Sequence, residues 1–296
     1  MTSAESGPAR VSPWKAIGWT VAFMLLGISA SGTVMALWAL ARYGSVADGL
    51  TRVLAAGPQQ IVVTGTSQLL GFGFATWVIG FRALRLRRWD LRWAPPRLGL
   101  KGFAIGLTIG AASAGLAMLG AVLLAHSHWS PDDGGLKDYI SQVVKTFVVL
   151  APAALSEEIM FRGIPLVLLA AALGRGAALV LVAGLVFALF HALNPGVTAL
   201  GLGNIALAGI FLGVAFYAPG GLWTAFGAHL GWNATLAALD APVSGLPFDI
   251  PLLDYCAGDP VWLSGGRFGP EGGLMATVAI TAALLVTMRW ARKEIF

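Results

Sequence analysis

Apolar runs of about twenty residues recur along this chain, beginning with one over 14–40, and they leave it few ways to fold. A helix of that length crosses the ~30 Å hydrocarbon core of a bilayer. Inside a bilayer every backbone N–H and C=O must be paired within the protein, which restricts spans to helices and closed barrels. The runs do not alternate apolar and polar residues, as barrel strands would, so the spans are helices. The expected fold is an all-α polytopic membrane protein of about eight transmembrane helices, over 14–40, 60–82, 101–125, 143–173, 176–193, 198–217, 221–239 and 272–291.

Composition agrees. Only 11% of residues are charged and 57% are hydrophobic, where a soluble domain carries about 25% charged residues. No polar linker divides the apolar blocks, so residues 1–296 read as a single membrane domain. The first run is too long for the core of a cleaved signal peptide and reads as a retained signal anchor. Glycine is abundant, 39 residues scattered through the spans, and small residues let membrane helices pack closely. One cysteine, Cys256, rules out an intrachain disulfide and a cysteine-based metal cluster. The net charge of +5 sits beside the apolar segments rather than in a nucleic-acid-binding face, so no nucleic acid partner is expected.

Short connections rich in Lys and Arg stay on the cytoplasmic side. The connection between the second and third spans holds Arg82, Arg85, Arg87, Arg88, Arg92, Arg97 and Lys101. Placing it inside puts both termini in the cytoplasm, in agreement with Arg10, Lys15, Arg289, Arg292 and Lys293. The connection HSHWSPDDGGLKDY and the segment 240–271 then lie on the non-cytoplasmic side. The latter, rich in Pro, Gly, Asp and aromatics, reads as a long connection rather than a lid or a partner-binding loop.

Within the spans, ionisable residues are few: Glu157, Glu158 and Arg162 in the fourth, His191 near the end of the fifth and His229 in the seventh. A charge at a helix centre costs roughly 2.5–3.5 kcal/mol on insertion scales, and an intramembrane ionisable group marks function by default. Glu158 and Arg162 stand four apart, carboxylate first, and can neutralise each other. Glu157 is turned about 100° away and left without a partner on its own helix, which suits a general base. Phe161 shares the face of Glu157 and can wall the site. Phe187 precedes His191 by four residues, and Asn233 follows His229 by four.

Glutamate and histidine can hold and deprotonate a water. A second histidine and an amide can donate to the oxyanion formed when that water attacks a carbonyl. The chemistry indicated is hydrolysis of a peptide or amide bond. Ser156 adjoins the glutamates, but no GxSxG elbow or catalytic cysteine setting accompanies it. Glu with two His is a set that zinc accepts, yet there is no HExxH. No cofactor is expected, zinc being the alternative.

EEIMFR, FALFH and HLGWN fit EExxxR, FxxxH and HxxxN, in that order and on separate helices. Residues 143–239 thereby resemble the CPBP intramembrane proteases, the CAAX-processing and bacteriocin-immunity (Abi) family that includes the Ras and a-factor converting enzyme. The resemblance implies that Glu157 and His191 activate water, that His229 and Asn233 stabilise the oxyanion, and that Glu158 and Arg162 support the site. It also implies a membrane-associated protein or peptide substrate. Prenylated substrates are implied only for the eukaryotic branch, whereas the composition, heavy in Ala, Gly, Leu and Arg, points to a bacterial inner membrane. Two other readings use the same residues: a non-enzymatic immunity or scaffold protein holding a buried polar network, and a proton-coupled transporter. The first explains His229 and Asn233 poorly, and the second is opposed by the lack of an internal repeat.

Overall fold

The computed structural model describes residues 11–54 and 58–295. Arg10 and the rest of the polar start of the chain lie outside the described residues. The described residues are mostly helical. In order, α1 spans Pro13–Tyr43, α2 Val46–Leu54, α3 Pro58–Ala75, α4 Pro96–Ala125, α5 Leu136–Arg162 and α6 Ile164–Leu173. A short α7, Arg175–Ala178, runs through a π-helical stretch, Leu179–Val186, into α8, Phe187–Phe190. Then follow α9, Ala199–Tyr217, α10, Leu222–Ala238, α11, Val261–Ser264, and α12, Leu274–Ile295. A π-helical turn, Thr76–Ala83, also extends α3.

Among the described residues, five helical segments, Pro13–Tyr43, Gln60–Ala83, Pro96–Ala125, Ala199–Tyr217 and Leu274–Arg292, are long and apolar enough to cross a membrane. Their outward faces carry large apolar residues, such as Leu25, Leu37, Leu119 and Leu123, which is what a lipid-facing surface requires. The protein is an integral membrane protein.

The span expected over 143–173 is not one helix. It breaks at Gly163, where α5 ends with ψ −120° and α6 begins. Pro165 lies in the first turn of α6, where its missing N–H costs nothing. A methyl on Gly163 would run into the carbonyl of Ile159. The expected 176–193 span is likewise a composite of α7, π-helix and α8 that stops before His191.

Glycine sets how closely α10 approaches α4. Gly106 and Gly110 of α4 lie against the backbone carbonyls of Thr224 and Ala228, and Gly227 and Gly231 of α10 against those of Phe103 and Leu107. Any side chain there would separate the two helices. The far end of α10 is tied by Tyr139, whose hydroxyl donates to the carbonyl of Ala238 at 3.1 Å, and by Trp129, whose indole donates to that of Leu239 at 2.7 Å. These contacts satisfy carbonyls that a helix end leaves unpaired.

Segment 240–271 is folded, not merely connecting. Its strand β2, Leu253–Cys256, pairs antiparallel with β1, His128–Pro131. Asp240 accepts from the N–H groups of Ile250 at 3.0 Å and Tyr255 at 3.2 Å. Phe248, Ile250 and Phe268 are buried. The basic connection after α3 is docked as well: Arg92 donates to the carbonyls of Phe216 and Tyr217 at 2.9 and 3.0 Å, at the end of α9. A cation is favoured beside the exposed carbonyls of a helix C-terminus.

Candidate active site

The last two turns of α5 carry the EExxxR residues. Glu158 and Arg162 are fully buried and paired at 3.2 Å, as their spacing predicts. Arg162 also donates to the carbonyl of Gly209 on α9 at 3.1 Å and lies 4.4 Å from the ring centre of Phe187. That position adds a cation–π attraction and gives the phenylalanine of FxxxH a purpose.

Glu158 has a second partner that its spacing could not show. His229 Nδ1 donates to Glu158 Oε1 at 2.8 Å. A carboxylate only accepts, so Nδ1 carries a proton and Nε2 faces the other way. It faces Glu157, whose Oε2 is 3.9 Å distant.

His191 is held differently from the expected place on a helix face. It follows the last residue of α8, with φ −101° and ψ 0°. Its Nδ1 donates to the carbonyl of Phe187 at 2.9 Å, and its ring packs on Phe187 with centroids 4.7 Å apart. Its Nε2 therefore also faces Glu157 Oε2, again at 3.9 Å. Helix end and carbonyl contact together aim the ring. The π-helical stretch just upstream is a common companion of functional sites.

Glu157 thus stands between two imidazole nitrogens, each beyond the reach of a direct hydrogen bond. The separation suits a single bridging water. Its Oε2 has no hydrogen-bond partner among the described residues. Glu157, His191, His229 and Asn233 all line one cavity of about 280 Å³, walled in part by Phe161, Phe187 and Phe190. Ser156 does not take part. It is buried and gives its hydroxyl to the carbonyl of Ala153 at 2.8 Å, with Gln68 Oε1 at 3.3 Å. Among the described residues, no group of three His, Cys, Asp or Glu side chains stands in metal-holding geometry.

Two further residues of the cavity escaped the motif reading. Glu271, at the end of the 240–271 segment, is buried and lines it. Its Oε1 accepts from the indole of Trp232 at 3.0 Å, and its Oε2 accepts from the hydroxyl of Ser244 at 2.8 Å and from the Ser244 N–H. Gln68 of α3 also lines the cavity. A carboxylate just outside an apolar run and an amide inside one were the available signals.

A family model, type II CAAX prenyl endopeptidase Rce1-like, matches residues 139–235, about a third of the chain. Neither the curated proteins nor the solved structures provide a match. The matched stretch runs from early α5 to α10 and contains Glu157, Glu158, Arg162, His191, His229 and Asn233. The part of this chain that builds the site is similar to the Rce1-like type II CAAX prenyl endopeptidases, in support of the resemblance that its three motifs carry.

Proposed function

We propose that the protein is a glutamate-dependent intramembrane endopeptidase acting on a membrane-associated protein or peptide. The observation that carries this reading is the placement of Glu157 Oε2 at 3.9 Å from both His191 Nε2 and His229 Nε2, in a cavity that Asn233 also lines. A water between Glu157 and His191 donates one hydrogen to the carboxylate and one to Nε2, leaving a lone pair for the scissile carbonyl. As the new C–O bond forms, Glu157 takes the proton and the carbonyl oxygen becomes an oxyanion. Asn233 donates its amide hydrogens to that oxyanion. His229 donates too when both its nitrogens carry protons, its charge then set against that of the oxyanion. Collapse breaks the C–N bond, and the proton held by Glu157 passes to the leaving amine.

A purely structural role does not account for Glu157. The packing network runs through Glu158, Arg162 and His229, while the Glu157 Oε2 is left without a hydrogen bond among the described residues. Composition supports a bacterial inner membrane as the location, and the basic connection after α3 supports cytoplasmic termini. A substrate there is a sorting tail, a peptide precursor or a membrane-bound regulator.

The test compares the termini of membrane proteins in cells holding wild type or Glu157→Ala. The variant strain should keep segments that wild type removes. Identical termini, with the variant folded, would end the peptidase reading. Zinc is the alternative means of activating the water; Glu157, His191 and His229 are the residues that would have to draw together to hold it. Full activity after exhaustive chelation, with no metal by elemental analysis, is expected. Loss of activity that added zinc restores would reverse that choice.

A further inference from the structure

His191 heads a turn rather than lying within a helix, and that turn has little packing of its own. The Asn194 N–H donates to the His191 carbonyl at 3.0 Å, and the Val197 N–H to the Asn194 carbonyl at 3.2 Å. Leu193 is 97% exposed, and Pro195 and Gly196 are exposed as well. Apolar burial at these three positions therefore contributes little. The turn is tied from outside by the Asn194 side chain, whose Nδ2 donates to the carbonyl of Ser244 at 3.0 Å.

Ser244 is held in an unusual backbone conformation. Val243 and Leu246 exchange both backbone hydrogen bonds at 2.9 Å across Ser244 and Gly245. Both central residues have positive φ, 49° and 84°, as the commonest two-residue hairpin requires. For serine that conformation is uncommon, and it persists where the surroundings enforce it. Glu271 supplies the enforcement. Its Oε2 accepts from the Ser244 hydroxyl at 2.8 Å and from the Ser244 N–H, and its Oε1 accepts from the Trp232 indole at 3.0 Å. The Glu271 carbonyl accepts in turn from buried Asn204 of α9 at 2.8 Å. Gly245 lies against the Pro195 carbonyl, so the hairpin tip and the turn after His191 meet with no side chain between them.

A carboxylate is seldom buried unless its oxygens are used, and this one joins two elements that carry motif residues. Through Trp232 it holds α10 one residue before Asn233. Through Ser244 and Asn194 it reaches the turn that His191 heads. All three residues line the cavity, so the ties run along its wall. Ser244 and Glu271 lie beyond the stretch that the family model matches. We propose that Asn194, Ser244 and Glu271 are positioning residues that fix the distance between His191 and Glu157. The catalytic consequence rests on the peptidase reading above; the placement of His191 can be measured without it.

Diethyl pyrocarbonate acylates neutral imidazole, and peptide mass spectrometry of the purified full-length protein reads each histidine separately. His191 is 16% exposed, His229 is buried, and His126 and His128 are exposed references. Asn194→Ala should speed modification of His191 about fivefold, with His229 and the references within about twofold of wild type. Glu271→Gln turns one acceptor into a donor and should quicken His191 in the same direction. Cleavage of an internally quenched peptide, built on a site found by comparing wild-type and Glu157→Ala cells, gives the second reading. In Asn194→Ala, kcat should fall about tenfold to a hundredfold, with KM within about threefold. Should Asn194→Ala fail to fold, Asn194→Asp keeps the size and removes the donor. Unchanged His191 modification in the folded variant, or His191 and His229 quickened together, would overturn the proposal. So would an unchanged kcat where wild type cuts. If wild type cuts no peptide, and membrane proteins of Glu157→Ala cells match wild type, the peptidase reading has failed, and the modification rates alone decide the placement of His191.

Discussion

His229 Nδ1 donates to Glu158 Oε1 at 2.8 Å, so the buried partner of Arg162 also aims the second histidine at Glu157. One carboxylate thereby serves α5, α10 and, through Arg162, the backbone of α9. The adjacent carboxylate, Glu157, keeps an Oε2 without a hydrogen bond among the described residues. The two glutamates should consequently fail in different ways when they are changed.

Glu158→Gln removes the counter-charge of a fully buried arginine. Breaking one partner of such a pair costs about 3–5 kcal/mol, so thermal unfolding in detergent should shift to clearly lower temperature. Activity should fall along with it.

Glu157→Gln should leave unfolding close to wild type, because this side chain is a quarter exposed and its Oε2 carries no hydrogen bond among the described residues. Turnover should drop by about 10²–10⁴, the usual contribution of a general base. An assay of kcat beside a melting curve separates the two glutamates directly.

Asn233→Ala tests the oxyanion role. Loss of one donor of this type costs about 10²–10³ in kcat, with little change in KM. A change confined to KM would move Asn233 to substrate binding.

Glu271→Ala leaves the Trp232 indole and the Ser244 N–H without their acceptor. Each buried group so stranded costs about 1–3 kcal/mol. The expected outcome is release of the folded 240–271 segment, seen as faster limited proteolysis within it. An unchanged digestion pattern would show that β2 and Asp240 hold the segment by themselves.

Gly110→Val places a side chain against the Ala228 carbonyl and pushes α10 from α4. Overpacking costs about 1–3 kcal/mol, and a shift of His229 and Asn233 by about 1 Å can cost 10²-fold in rate. Gly115→Ala is the control on the same helix, because its methyl meets nothing.

The helical membrane class, the polar residues of the site and the Glu158–Arg162 pair were legible from apolar run length and four-residue spacing. Those are properties of one segment at a time, set by the bilayer's thickness and the pitch of a helix. The break at Gly163 was less visible, since hydropathy does not register backbone geometry and Pro165 follows without interrupting the apolar run. What the tertiary structure alone decided is which groups meet. It brought His229 to Glu158 as well as to Glu157, set His191 past the end of α8, and folded Glu271 and Gln68 onto the same cavity. The reason is physical: a side chain's role depends on neighbours that arrive from distant helices. How closely those helices approach is set by glycine contacts such as those between α4 and α10, which composition counts but does not place.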